Sequence, residues 1–160
     1  MYPTKNDLSE STRAAMVAAL NASLANGIDL AMQAKQAHWN VKGPSFQQLH
    51  ELFDQAYVEA VGWNDMIAER AVQLGGTAEG TLANVGERTV LAAYALDISE
   101  GRAHVDALSS AVAAYGKAVR ASIATAEEAH DSGTADLFTE VSRGADKLLW
   151  FLEAHLQSDR

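Results

Sequence analysis

Residues 45–76 read SFQQLHELFDQAYVEAVGWNDMIAERAVQLGG. Gly43-Pro44 precedes this stretch and Gly75-Gly76 closes it. Between them, apolar residues recur at Leu49, Phe53, Ala56, Ala60, Trp63 and Ile67, the spacing of one helix face. Ser45 with Gln48 reads as a capping box at its start. About 100° round from that face run His50, Asp54, Asp65 and Glu69. His50/Asp54 and Asp65/Glu69 are each spaced i, i+4, so each pair shares a face. Asp54 and Asp65 are close to three full turns apart, which sets all four on one stripe. At about 1.5 Å rise per residue the two pairs stand roughly 16 Å apart, too far for one metal ion. An antiparallel second copy crossing near residues 59–60 would bring His50/Asp54 of one chain beside Asp65/Glu69 of the other. The stripe therefore predicts two metal sites shared between two subunits.

Working outward, a first helix is expected from about Leu8 to Asn40, capped by Asp7 with Glu10 three residues on. Its apolar spacing is Met16, Leu20, Leu24, Ile28, Ala31. Residues 75–97 form a connection too long for a hairpin loop, with a short helix expected at Glu87–Tyr94. Asp97 with Glu100 reads as a further capping box, opening a helix with Val105, Leu108, Val112, Tyr115 and Val119 inward. That helix frays near His130-Asp131-Ser132-Gly133. Thr134 is the expected cap of a last helix carrying Leu137, Val141, Leu148 and Leu152. Two helical hairpins joined by a long crossover make an all-α, ferritin-like four-helix bundle, with a short helix in the crossover between helices 2 and 3. The chain reads as one domain, 1–160, with residues 1–7 a short N-terminal tail.

The composition narrows the chemistry. The chain has 160 residues, enough for one domain with a sizeable core. It has only two prolines, which suits long helices, and no cysteine, which excludes disulfides and thiolate metal sites. Any metal must sit on His and carboxylates, a set that suits iron or manganese, with zinc as a competitor. No apolar run stands out as a membrane span, and Met1–Arg13 lacks a signal-peptide pattern, so the expectation is a cytoplasmic protein. The net charge of −9 argues against nucleic acid as the main partner of the globular surface.

The stretch Lys35-Gln-Ala-His-Trp-Asn-Val-Lys-Gly-Pro44, followed by Leu49-His50, Asp54 and Asp65-Met-Ile-Ala-Glu-Arg-Ala-Val-Gln-Leu-Gly-Gly76, resembles the Dps family. These are mini-ferritins known as DNA-binding proteins from starved cells. Thr134-Ala-Asp136 and Asp146-Lys-Leu-Leu-Trp-Phe151 resemble it too, so the likeness spans nearly the whole chain. The resemblance implies a homo-dodecameric shell built from two-fold dimers, with ferroxidase sites at the two-fold interfaces. It implies that His38, His50 and Asp54 come from one subunit and Asp65 and Glu69 from its partner; His38 enters only through the resemblance. It further implies hydrogen peroxide as oxidant of Fe(II), storage of an Fe(III) mineral, and protection of DNA from oxidative damage.

Taken alone, His50/Asp54 reads equally as a hydrogen-bonded surface pair and Asp65/Glu69 as a solvated acidic face; aligned and matched to the family, the four read as metal ligands. An intrachain ferritin centre would need two Glu-x-x-His motifs, and only Glu127-Glu-Ala-His130 occurs. His130 reads as a helix terminus, and His104 and His155 as structural or exposed. Trp39 and Trp63 read as core or interface residues, with Trp39, next to His38, also a sacrificial radical trap. An acidic cluster of Glu127, Glu128, Asp131, Asp136 and Glu140 surrounds the last turn. The resemblance makes Glu127, Asp131 and Asp136 candidates for a pore that admits iron at a three-fold axis. DNA binding in the family often rests on a basic tail. Here Lys5 and Arg13 are balanced by Asp7 and Glu10, and Gln157-Ser-Asp-Arg160 is no more basic. Weak or no DNA binding is expected near pH 7. The competing readings are a nucleoid-associated DNA-compacting protein with secondary iron binding, and a purely structural helical oligomer.

Overall fold

The first helix starts where a hydroxyl is available to cap it. Ser9 Oγ accepts the amide of Thr12 (3.1 Å), so α1 runs Glu10–Asn40 and Asp7 plays no part in the cap. The computed structural model describes residues 1–157; Ser158-Asp159-Arg160, whose charge was weighed above, lie outside the described residues. The remaining helices are α2 (Phe46–Gln73), α3 (Leu82–Arg88), α4 (Gly101–Glu128) and α5 (Ser132–Ala154). The Ser45 capping box does not form. Ser45 has ψ 24°, outside the extended region a capping residue needs, because Gly43 (φ 112°) turns the chain and accepts Phe46 N instead.

α1 packs along α2 and α4 along α5, while α1 also meets α4 and α2 meets α5, which closes a four-helix bundle. Lys42 N, in the α1–α2 turn, donates to Ser99 O (2.9 Å), so α4 begins beside that turn. Arg70, near the end of α2, bonds Asp131 in the α4–α5 turn and Thr134 in the first turn of α5. Hence α2 and α4 run the same way, and only a connection as long as the bundle can join them. This is the ferritin-like crossover read from the sequence.

The short helix in that crossover is Leu82–Arg88, not Glu87–Tyr94. The reason is a row of polar side chains on α1. Asn21 holds both Thr77 O and Glu79 N (2.9 Å each), Asn26 Oδ1 accepts Val90 N (2.9 Å), Asp29 accepts the Thr89 hydroxyl (2.6 Å), and Gln33 donates to Ala92 O (3.0 Å). These partners hold residues 89–92 extended against α1, so helix cannot continue through them. The Asp97–Glu100 box also fails: Glu100 is the residue before α4, and its neighbour Ser99 is tied to Lys42. At α5 the cap is Asp131, which accepts Thr134 N at 3.0 Å, rather than Thr134 itself.

The core follows the predicted faces. Leu49, Phe53, Ala56, Ala60, Trp63 and Ile67 are all buried, as are Val105, Leu108, Val112, Tyr115 and Val119. On α5, Phe138 is buried and Leu137 only partly. By length and composition α1 is apolar enough to cross a membrane, contrary to the reading of the sequence; a little over half of its apolar window is buried inside the bundle, where it serves as a core helix.

Candidate metal centre

His38 closes α1 and His50 opens the second turn of α2, so the turn at residues 41–45 folds them together. Their rings stack at 3.6 Å between centroids. His38 Nδ1 lies 2.8 Å from His50 O, and His50 Nδ1 lies 2.8 Å from His38 O. A carbonyl can only accept, so each Nδ1 carries a proton, and in the neutral ring the lone pair is then on Nε2. That is the tautomer a metal ligand requires, held by an outer hydrogen bond. Phe46 stacks on the other side of His50 at 5.1 Å.

Asp54 lies one turn further along α2, half exposed, and is paired with the ammonium of Lys35. The Lys35 hydrogen bond holds the Asp54 carboxyl below its usual range. Lys35 Nζ also sits 4.6 Å from the centroid of the Tyr57 ring. Neither Lys35 nor Tyr57 was singled out from the sequence. Lys35 stands three residues before His38 on α1, so the same-face spacing was the available signal. Asp65 and Glu69 are exposed, and their carboxylates make no hydrogen bond or ion pair with the described residues.

Among the described residues, no three His, Asp or Glu side chains of one chain converge as a metal site. His38, His50 and Asp54 gather at one end of α2, and Asp65 and Glu69 stand apart toward the other. The outer face between them is apolar and open: Val58 is 61 % exposed and Val61 43 %. His50 and Glu69 are equally far from the midpoint between Glu59 and Ala60, as are Asp54 and Asp65, and Val58 and Val61. At about 100° per residue, the members of each pair also fall at equal angles on opposite sides of the stripe's centre line. That face is self-complementary under a two-fold axis through the midpoint.

The other candidates divide. Glu127, Glu128, Asp136 and Glu140 are exposed around the α4–α5 turn. Asp131 is not: it is 2 % exposed, capping α5 and bonded to Arg70 Nη2 at 2.8 Å and to the Thr134 hydroxyl. Its carboxyl is spent inside the fold. Trp39 is 62 % exposed rather than buried, whereas Trp63 is buried and stacks on Tyr115 at 6.0 Å. His104 is buried, with Nδ1 2.7 Å from the Tyr94 hydroxyl, and desolvation lowers its pKa. His130 is an exposed residue with φ 57° at the end of α4, and His155 is exposed.

Four helices, a bundle-length crossover and a His/carboxylate stripe define a ferritin-like protein, and the ferritin-like domain model matches residues 17–160. The chain is 48 % identical over 156 residues to the DNA protection during starvation protein of Agrobacterium fabrum, covering 98 % of this chain and 96 % of that one. The solved Dps of Mycobacterium smegmatis superposes with a TM-score of 0.93 at 29 % identity, covering 99 % of this chain and 96 % of that one. The Dps protein of Vibrio cholerae O1, described as a member of a broad superfamily of ferritin-like diiron-carboxylate proteins, gives 0.91 at 26 % identity, covering 98 % of both chains. The chain belongs to the Dps family.

Proposed function

We propose that the protein is an iron-storage and detoxification ferroxidase whose centres are shared between two antiparallel copies of α2. The observation that carries this reading is the two-fold symmetry of the α2 stripe. An axis between Glu59 and Ala60 opposes Asp54 to a second copy's Asp65, two like charges that need a cation between them. It also opposes His50 to a second copy's Glu69, which completes a mixed nitrogen and oxygen ligand set. Substrate Fe(II) suits that set, and Zn(II) or Mn(II) would compete for it. The diiron-carboxylate description of the Vibrio cholerae relative supports the choice of iron.

In this reading His38 and His50 present Nε2 and Asp54 its carboxylate from one subunit, and Asp65 and Glu69 complete the centre from the other. The reciprocal imidazole–carbonyl bonds keep both rings in the ligating tautomer before iron arrives. Two Fe(II) each give one electron to hydrogen peroxide, which takes up two protons and leaves as two waters. No hydroxyl radical is released, which protects DNA. Fe(III) is stored as mineral within a dodecameric shell, and Glu127 and Asp136 line the pore that admits iron. Asp131 contributes to that pore only by holding its turn in shape. Trp39, exposed beside His38, takes up oxidising equivalents that escape the centre. The setting is the cytoplasm, where Fe(II), peroxide and DNA meet.

DNA compaction has less support. Arg13 is 9 % exposed and donates to Leu74 O (3.0 Å) and Leu8 O (3.3 Å), so of the two cations in the first thirteen residues only Lys5 is free in solvent.

The test is an anaerobic Fe(II) titration followed by peroxide, read as Fe(III) absorbance. A fast phase saturating near about two Fe(II) per chain, then slower mineral growth, is expected. The sharing is tested by mixing, after disassembly, chains lacking His50 and Asp54 with chains lacking Asp65 and Glu69. Reassembled mixtures should regain activity; reassembly without any recovery would sink the shared centre.

A further inference from the structure

Tyr94 and His104 form a buried phenol–imidazole pair that the centre described above does not use. Tyr94 follows the strapped segment of the crossover, half-buried against the core, with its hydroxyl 2.7 Å from His104 Nδ1. His104 lies in the first turn of α4 and is 1 % exposed. Burial lowers the His104 pKa and raises that of Tyr94, so both are neutral near pH 7. The backbone carbonyls of Asn40 and Ile98 face the imidazole, and neither is aligned for a full bond to Nε2. Carbonyls only accept, so the ring proton belongs on Nε2 and the phenol donates to Nδ1. Removing an electron from a phenol makes its O–H a strong acid, so oxidation is eased where a base already holds that hydrogen. Among the described residues no other tyrosine has such a base. Tyr2 faces solvent, and Tyr57 has the Lys35 ammonium against its ring. Tyr115 is fully buried with Ser23 and Asn64 near its hydroxyl, neither of them a base.

The pair stands beside the candidate centre. Asn40 is two residues beyond His38, and the His104 ring lies 6.3 Å from that of Phe53, the residue before Asp54. His104 therefore touches both α1 and α2 within one helical turn of their ligand positions, on the core side. We infer that Tyr94 supplies the second electron to peroxide when a centre holds a single Fe(II), with His104 taking the phenol proton. This rests on the ferroxidase reading and adds a built-in reductant to it. Hydrogen peroxide takes one electron from Fe(II) and one from Tyr94; with two protons from solvent it leaves as two waters. The Tyr94 O–H bond breaks, its proton forms imidazolium on His104 Nδ1, and a neutral tyrosyl radical remains. The Asn40 and Ile98 carbonyls favour that imidazolium. Peroxide is not left half-reduced, so hydroxyl radical is not released. A later Fe(II) returns the electron and His104 returns the proton, which restores the pair.

Iron-free protein tests the pair by itself. A photogenerated one-electron oxidant should give a tyrosyl EPR signal coupled to an exchangeable proton, the one held on His104. Tyr94→Phe should abolish that signal, and Tyr115→Phe should leave it unchanged. His104→Gln keeps a hydrogen-bonding side chain but no base, and tyrosyl formation should slow by about 10²-fold. If circular dichroism shows that His104→Gln has not folded, the exchangeable-proton coupling in wild type decides the same point, and its absence would overturn the pairing. With a single Fe(II) per chain followed by peroxide, wild type should form the same radical and little spin-trapped hydroxyl. Tyr94→Phe should lose the radical and release hydroxyl. A wild-type signal in Tyr94→Phe, or an unslowed His104→Gln, would overturn the pairing. A radical formed without iron but not with iron and peroxide, while the Fe(II) titration succeeds, would overturn the electron supply. A failed Fe(II) titration would remove the ferroxidase reading and this electron supply with it, and the iron-free radical would leave Tyr94 and His104 as a redox pair.

Discussion

Replacing Asp131 by alanine tests whether this carboxylate belongs to the fold or to the acidic funnel. One side chain makes three bonds: to Thr134 N (3.0 Å), to the Thr134 hydroxyl, and to Arg70 Nη2 (2.8 Å). Loss of an N-cap costs about 1 kcal/mol. Loss of a charge-assisted bond from a buried carboxylate costs roughly 1.5–3 kcal/mol. Arg70 is 18 % exposed and can rehydrate in part, which trims the second figure. Together Asp131→Ala should lose about 3 kcal/mol, and in a chain of this size Tm should fall by roughly 6–12 °C. Asp131→Asn keeps a good capping side chain and should lose about half as much. Urea denaturation at one fixed chain concentration is the assay, because assembly makes stability depend on concentration. Burial works to raise the Asp131 carboxyl, but the Thr134 hydroxyl and amide and the Arg70 guanidinium outweigh it and leave the group lowered from its ordinary 3.8. Its contribution is therefore complete above pH 3.8 and is lost as pH falls through the lower folded value. The gap between wild type and Asp131→Asn should stay constant from pH 7 to pH 5 and shrink below about 3.8. Iron uptake by Asp131→Asn should match wild type, whereas Asp136→Asn and Glu127→Gln should slow it. An Asp131→Ala variant within about 0.5 kcal/mol of wild type would refute the reasoning.

Other perturbations probe the centre and its support. Lys35→Met removes the ammonium that competes for Asp54, so anaerobic calorimetry should show Fe(II) binding tightened about two- to five-fold, the scale of an exposed ion pair; unchanged or weaker binding would show that Lys35 assists rather than competes. His38→Ala removes a ligand and the ring stacked on His50, while the residue-38 carbonyl that accepts His50 Nδ1 stays, and the fast oxidation phase should fall roughly 10- to 100-fold. Gly27→Ala would put a methyl 2.0 Å from Asn64 Oδ1 in the bundle interior, and overpacking of that kind should cost about 1–3 kcal/mol in urea denaturation. A DNA band retarded at neutral pH and moderate salt would contradict the neutral, internally bonded N-terminal segment.

Local signals were legible where one residue type answers one physical need. The inward faces of α2 and α4 follow from 3.6-residue periodicity, and every position named on them is buried. Gly75 ends α2 with φ 84°, as a left-handed terminus requires. The capping residues were misread at Asp7, Ser45, Asp97 and Thr134. A cap depends on where the preceding chain is held, and at Ser45 and Asp97 that was decided by Gly43 and by Lys42 bound to Ser99.

The sequence by itself determined the helical faces, the long crossover and the one-stripe alignment of His50, Asp54, Asp65 and Glu69. These depend on spacing along a single helix, which is a local property of the chain. Tertiary structure alone decided that Asn21, Asn26, Asp29 and Gln33 strap the crossover to α1. It alone decided that Asp131 is buried against Arg70, and that His38 and His50 hold each other's tautomer through their backbone carbonyls. Each of these joins groups that lie far apart along the chain, and a hydrogen bond of 2.8 Å is set by how helices pack, which no spacing within one helix encodes.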